Sequence, residues 1–284
     1  MAGRLYVVGT PIGNLGDLSP RAAQVLAEAD FIAAEDTRVT LKLLNHLGLK
    51  KPMVSYYEHN LRERGRMILE RIQAGETCAV VSDAGMPCIS DPGEDLVRIC
   101  GEAGIETIVI PGPSAAIAAL AVSGLSTSRF TFEGFLSTSR SSRAAHLEGL
   151  RQEERTMIFY EAPHKLLPTL ADLREVFGGS RRISIGRELT KLHEELLRTD
   201  LVGALERFRE RPPKGELVLV LEGKPREKAL MTLEEALDRA EALLNGGMKP
   251  TDAARQAAKE SGYPKGELYQ GLLRRQSGEE AEER

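Results

Sequence analysis

Residues 79–93 read AVVSDAGMPCISDPG. A short apolar run ends in Ser82-Asp83-Ala84-Gly85, and Ser90-Asp91-Pro92-Gly93 follows within a few residues. A buried strand that only needs to turn back does not require two aspartates, two glycines and two prolines behind it. Glycine allows positive φ and close backbone approach, and proline fixes the turn. In an open α/β sheet, ligands bind outside the carboxyl ends of the strands. The stretch therefore reads as a buried strand that delivers a binding loop.

The same pattern recurs outward along the chain. Strands are predicted at LYVVGT from Leu5, DFIAAED from Asp30, TCAVVSD from Thr77 and ETIVIPG from Glu106. Helical periodicity is expected near 20–29, 40–47, 61–74 and 93–103. Alternating β and α, with nearly continuous apolar strands, predicts a mostly parallel sheet covered on both faces. Each strand end carries an unusual loop: GTPIGNLGD, AEDTR, SDAGMPCISDPG and PGPSA. Taken singly, each has a plain structural reading. Asp83 and Asp91 can cap turns, Ser114 can cap a helix, and Glu35, Asp36 and Arg38 can form an internal ion pair. Four such loops at one sheet edge exceed what connectivity needs.

A second α/β set is predicted from RFTFEGFL (from Arg129), TMIFYEA (from Thr156), RRISIGRE (from Arg181), HEELLRTD (from His193) and GELVLVLEG (from Gly215). The close spacing of several of these runs points to a mixed or antiparallel sheet. After EGKPREK come three helical segments, with Gly246-Gly247 and Gly262 as stops. The acidic tail SGEEAEER is expected to fray.

The chain has 284 residues, 42% hydrophobic and 28% charged, with net charge -4. These values fit a soluble globular protein of about two domains. No run of about 18 apolar residues exists, so no membrane span is predicted, and the apolar run at the N-terminus is too short for a signal peptide. Cys78, Cys88 and Cys100 have no paired spacing, which favours reduced thiols and the cytoplasm, and no Cys/His group has metal-ligand spacing. RNA binding, if present, must use local basic patches. The phosphate loop G-x-x-x-x-G-K-[ST] is absent, and GTPIGN is not the dinucleotide fingerprint. Exposed acids at the strand ends repel pyrophosphate and suit a ligand with an amine and a sulfonium. Backbone N–H groups suit its carboxylate. S-adenosylmethionine has that combination, but composition alone does not select it.

Together LYVVGTPIGNLGDLSPRA, AEDTRVTLKLL, SYYEHN, VVSDAGMPCISDPG, IPGPSAAIAALAVSGL and FYEAPHKL closely resemble the bacterial ribosomal RNA small-subunit methyltransferase I family of the tetrapyrrole-methylase superfamily. The resemblance covers residues 4–223, and the helical end is similar to that family's C-terminal domain. Met86 and Cys88 stand where Thr and Leu are commoner. The resemblance implies two α/β domains of the tetrapyrrole-methylase type, residues 1–112 with a parallel sheet and 113–224 with a mixed sheet. The cofactor would lie in the cleft between them, and a small helical domain, 229–284, would follow. It also implies S-adenosylmethionine-dependent 2'-O-methylation of a cytidine ribose in the decoding centre of 16S rRNA, acting on the RNA or the small ribosomal subunit, and a homodimer. Carried over position by position, it places Ser82, Asp83, Ala84, Gly85 and Ile89 around the methionine part of the cofactor. It places Ser114 and Ala115 at the next loop contact, Tyr160 and Leu189 around the adenine, and Pro11 and Gly13 near the methyl donor.

A ribose hydroxyl is a poor nucleophile and benefits from a general base. Glu35, Asp36 and His59 are the leading candidates, with Glu58 and His164 also open. Tyr56 and Tyr57 can offer a stacking surface or pack in the core. RNA contacts are expected from Arg38, Arg64, Arg140, Arg143, Arg182 and Arg187, with Arg140 and Arg143 on a mobile lip, STSRSSR. Two rivals stay open: a porphyrin or corrin precursor methylase, and a non-catalytic ribosome-assembly protein on the same fold. A nucleotide-dependent dehydrogenase is disfavoured by the missing fingerprint.

Overall fold

The computed structural model describes residues 3–225 and 231–277. The expectation for the acidic tail falls on residues 278–284, outside the described residues. The chain divides at Lys224/Pro225 into two compact units.

The first unit holds two five-stranded sheets. The first consists of β1 (Leu5–Val8), β2 (Phe31–Ala34), β3 (Met53–Ser55), β4 (Cys78–Val81) and β5 (Thr107–Ile110), in the order β3-β2-β4-β1-β5. All its pairings are parallel. Strand alternation sorts its side chains to two faces. Leu5, Val7, Phe31, Ala33, Cys78 and Val80 pack with Ile68 and Ile72 of α3 (Leu61–Gln73) and Leu96 and Cys100 of α4 (Glu94–Glu102). Val8, Ile32, Ala34, Ala79 and Val81 pack with Val25 and Leu26 of α1 (Pro20–Glu28) and Leu43 and Leu44 of α2 (Thr37–His46). From adjacent strands, β1 crosses to one side to reach β2 and β4 crosses to the other to reach β5. This is the topological switch point at which such sheets open a crevice.

The sequence did not reveal β3, a three-residue, half-buried edge strand with too few residues for a period. Helix α2 starts earlier than its apolar period because Asp36 accepts the Arg38 N–H and caps it at Thr37.

The second sheet has the order β6-β7-β10-β8-β9, from β6 (Phe130–Phe135), β7 (Thr156–Glu161), β8 (Arg182–Arg187), β9 (Glu195–Asp200) and β10 (Leu217–Leu221). β6 and β7 are parallel and the other pairs antiparallel. α7 (Leu166–Phe177) and α8 (Leu201–Glu210) cover one face. α5 (Ala115–Val122) covers the other, through Ala116, Ala119 and Leu120 against Ile158, Val218 and Val220. Ile12, from the loop after β1, joins this second core and ties the two sheets together. The expected lip at STSRSSR is instead the approach to a helix, α6 (Arg140–Gly149), and Arg143 is fixed by Asp172 at 2.6 Å and by the Ser137 carbonyl.

The second unit is formed by α9 (Leu233–Asn245), α10 (Pro250–Ser261) and α11 (Lys265–Ser277). Ala236, Ala240, Ala253, Ala254 and Ala257 let these helices pack closely around Leu268 and Leu272. Thr232 and Glu235 form a capping box at the start of α9, and Gly262 ends α10 in the left-handed region.

Candidate active site

The loops after β1, β4 and β5 meet backbone to backbone. Thr10 and Gly85 exchange N–H···O bonds at 2.8 and 3.1 Å. Gly9 and Gly112 touch so closely that a Cβ on Gly9 would lie 2.6 Å from the Gly112 Cα. The Gly112 N–H points at the Met86 sulfur, 3.3 Å away. Beyond Met86, Cys88 and Ser90 adopt φ of 72° and 64°. Such left-handed conformations cost on the order of 1–3 kcal/mol each and cluster at functional sites. This strained segment brings Asp91 back to the sheet edge.

These loops and the second sheet enclose a cleft of about 240 Å³. Glu35, Asp83, Ala84, Gly85, Met86, Ile89 and Asp91 line it from the first domain. Ser114 and Ala115 line it at the start of α5, and Phe135, Tyr160, Gly186, Leu189, Glu216 and Val218 complete it. A bulge between Phe132 and Gly134 sets Phe135 opposite Tyr160, with ring centroids 5.5 Å apart. The Ala116 N–H donates to the Tyr160 hydroxyl at 3.3 Å, joining the helix start to the second sheet.

Eight of the residues assigned to the cofactor by resemblance line this cleft: Asp83, Ala84, Gly85, Ile89, Ser114, Ala115, Tyr160 and Leu189. Ser82, Pro11 and Gly13 line an adjoining groove with Thr40 and Leu43, and Asp83 belongs to both. Asp91, Met86, Phe135 and Glu216 are cleft residues that no role was assigned to. Asp91 had a signal, the repeated Ser-Asp of the opening stretch. Phe135 and Glu216 had none, because they reach the cleft only through the second sheet.

The acids are tied to one another. Glu35 Oε2 accepts the Asp83 N–H at 3.1 Å, and Asp83 Oδ1 accepts the Asp36 N–H at 3.0 Å. Burial raises the pKa of Glu35 and of Asp83 above the usual carboxylate range. Burial, reinforced by the charge of Glu35, pushes Asp91 up to about 7. Asp36 goes the other way: the Arg38 side chain hydrogen-bonds it and lowers it to about 2. The clash of these directions follows from position, since Glu35, Asp83 and Asp91 face the cleft while Asp36 faces Arg38.

A second, open groove adjoins the cleft, lined by Glu35, Asp36, Thr37, Arg38, Ser55, Tyr57 and Asp83. Glu35 and Asp83 line both spaces. The two tyrosines part: Tyr56 is in the core, and Tyr57 is 42% exposed. His59 is exposed, with its ring edge-on to Tyr57 at 6.1 Å. Glu58 lines a separate recess beside Cys88 and Asp91. His164 sits exposed on a short turn after β7 and lines none of these spaces.

The arginines separate by their partners. Arg38 has 88% of its side chain exposed. Arg140 is exposed at the start of α6, and Arg182 lies 3.8 Å from Glu222 with 60% of its side chain exposed. Arg64 is half-buried against the Met67 sulfur, and Arg187 is paired with Glu195. Among the described residues no group of His, Cys, Asp and Glu could hold a metal ion, and no helix is long and apolar enough to cross a membrane.

Comparison with known proteins adds relatives. The model of Tetrapyrrole (Corrin/Porphyrin) Methylases matches residues 4–204, and the model of the RsmI C-terminal HTH domain matches residues 232–276. Ribosomal RNA small subunit methyltransferase I from Synechocystis sp. is 51% identical over 269 residues, covering 94% of this chain and 96% of its own. The protein of the same name from Escherichia coli O157:H7 is 43% identical over 277 residues, covering 96% of each. Among solved structures, uroporphyrin-III C-methyl transferase from Thermus thermophilus, complexed with S-adenyl homocysteine, superposes with a TM-score of 0.56 at 18% identity, over 78% of this chain and 97% of its own. That likeness concerns the fold alone.

Proposed function

The chain belongs to the ribosomal RNA small subunit methyltransferase I family of tetrapyrrole methylases, and from that premise we propose that it transfers a methyl group from S-adenosylmethionine to the 2'-hydroxyl of a cytidine in the decoding centre of 16S rRNA. The observation that carries the reading is a cleft whose acidic floor continues into an open groove.

The residues present fit the cofactor. Ile12, Met86, Ile89, Leu189 and Val218 give apolar walls for an adenine and a thioether chain. Asp83 and Asp91 suit an ammonium and a sulfonium. The first turn of α5, at Ser114 and Ala115, offers N–H groups and the positive end of a helix to a carboxylate. When bound, the cofactor supplies an electrophilic methyl on a positively charged sulfur. The protein's part is to hold the hydroxyl oxygen, the methyl carbon and the sulfur in line. Transfer would form the C–O bond as the C–S bond breaks, and the hydroxyl proton would go to a base of the protein. Glu35 takes that role here. It lies at the boundary of cleft and groove, where burial raises its pKa, whereas Asp36 is committed to Arg38 and His59 lies outside the groove's lining.

Arg38, Arg140 and Arg182 are the most exposed of the predicted arginines, Arg38 even while paired with Asp36, and are placed to meet phosphate; the helical unit at 231–277 is a further RNA-engaging candidate. Exposed cations that release counterions make binding weaken with rising salt. A homodimer fits helix α5, which is apolar on every side and leaves Ile117 and Val122 about half exposed, and three cysteines that are all free fit the cytoplasm. Light scattering reading the mass of a single chain would overturn the dimer.

The test is methyl transfer from labelled S-adenosylmethionine to small subunits lacking the modification, with naked 16S rRNA alongside and mass spectrometry to locate the methyl. A 2'-O-methylcytidine in the decoding region is expected. Cofactor binding with no transfer to either RNA would sink the substrate and bring the small-molecule methylase forward.

A further inference from the structure

Tyr57 is exposed, and its place is set by an asparagine that gives up a more common role. Asn60 is the N-cap of α3, yet its side chain makes no bond to that helix. Forgoing the cap costs about 1 kcal/mol of helix stability. The carboxamide turns back instead. Its Oδ1 accepts the Tyr57 N–H at 2.9 Å, and its Nδ2 donates to the Ser55 carbonyl at 3.1 Å. The Asn60 N–H closes the turn on the Tyr57 carbonyl at 2.9 Å. On the other side, the Tyr56 N–H donates to the Ala34 carbonyl at 2.8 Å, and the Tyr56 ring is anchored in the core. The turn is thus pinned at both ends, with Tyr57 left on the groove.

The groove's other lip is equally fixed. Asp36 engages the Nε and Nη2 edge of Arg38. Nη1 keeps its donors for another acceptor. Between the lips lie the Glu35 and Asp83 carboxylates. Those acids repel a phosphate and accept a hydroxyl proton, so a nucleotide here has a favoured orientation. Its phosphate goes to Arg38, its ribose to the acids and its base to the aromatic ring.

We propose that Tyr57 is the stacking platform for a base of the acceptor RNA, that Asn60 is its positioning residue, and that Arg38 anchors the adjacent phosphate across the groove. The inference rests on the RNA reading above and names where the acceptor nucleotide sits. Aromatic rings stack on any base face, so the platform contributes affinity while other contacts choose the base.

The test uses the full chain with small subunits as acceptor. Tyr57→Ala is expected to raise KM for the subunit about 5- to 150-fold, the range of one lost base stack. The Kd for S-adenosylmethionine by calorimetry should stay within about twofold, since Tyr57 does not line the cofactor cleft. Tyr57→Phe should restore KM. Asn60→Ala should raise KM for the subunit with kcat nearly kept, and Asn60→Ala combined with Tyr57→Ala should be no worse than Tyr57→Ala alone. An active wild type with an equally active Tyr57→Ala overturns the platform and leaves the RNA reading standing. A Tyr57→Ala that loses cofactor affinity in step with RNA affinity also overturns it, as a folding role. A wild type that methylates no RNA overturns both.

Discussion

Burial raises the pKa of two acids that line the cleft, Asp91 and Glu35. Asp91 is raised from 3.8 to about 7 by burial and by Glu35, with Asp83 adding repulsion and the Ser82 hydroxyl opposing it. Below about pH 7 Asp91 is neutral, and above it the cleft gains a negative charge. A cationic ligand prefers the charged cleft, so affinity for S-adenosylmethionine should rise as pH climbs through 7, and Asp91→Asn should flatten that rise in calorimetric titrations. The stability effect has the opposite sign. A carboxyl whose pKa is higher folded than unfolded binds its proton more tightly in the fold, so stability falls as pH rises from about 4 to about 7. Asp91→Asn should therefore melt higher than wild type at pH 8, by the equivalent of about 1 kcal/mol once solvent screening is allowed for, and equally at pH 4. Equal melting at both values would show that Asp91 is not strained by its burial. Glu35→Gln should lower kcat about 100- to 10,000-fold with cofactor affinity kept within a few fold. A kcat within threefold of wild type would remove Glu35 as the base.

The site depends on three loops that hold each other through close backbone contacts at glycines, with Thr10 and Met86 adding side-chain bonds. A Cβ on Gly9 would meet the Gly112 Cα and the Met86 Sδ at 2.6 Å. Gly9→Ala should therefore part the loops after β1 and β5, lower stability by about 1–3 kcal/mol as overpacking does, and weaken cofactor binding in calorimetry. Unchanged melting and binding would mean the contact yields freely. The strands bearing these loops were legible because parallel strands buried on both faces must be apolar throughout. β3 and the exact start of α2 were not. The first is an edge strand three residues long, and the second is set by the Asp36 cap rather than by apolar spacing.

The molecule is built of two compact units, and deletion separates what each contributes. Cleft and groove both lie within residues 1–224. Removing residues 229–284 should leave S-adenosylmethionine affinity nearly unchanged and weaken small-subunit binding, most clearly at low salt where released counterions matter. RNA affinity equal to that of the full chain would make the helical unit a structural appendage. Net charge -4 means any electrostatic attraction is local, and the fold has sorted the arginines accordingly. Arg143 and Arg187 look like RNA contacts in the sequence, yet they are largely buried in ion pairs with Asp172 and Glu195, whereas Arg38 and Arg182, paired with Asp36 and Glu222, keep most of their side chains exposed.

By itself the sequence determined the alternation of strands and helices, the loops that gather at the strand ends, and the resemblance that names a family. Those features are local, written in runs of a few residues whose periodicity and turn chemistry need no partner. Only the tertiary structure decided which acids face the cleft, that Tyr56 is core while its neighbour Tyr57 is surface, and that Phe135 and Glu216 complete the cleft. The raised pKa of Asp91 and the exposure of a ring depend on what other elements bring within a few ångströms from positions tens to more than a hundred residues away, whereas Asp36 is lowered by Arg38 only two residues on.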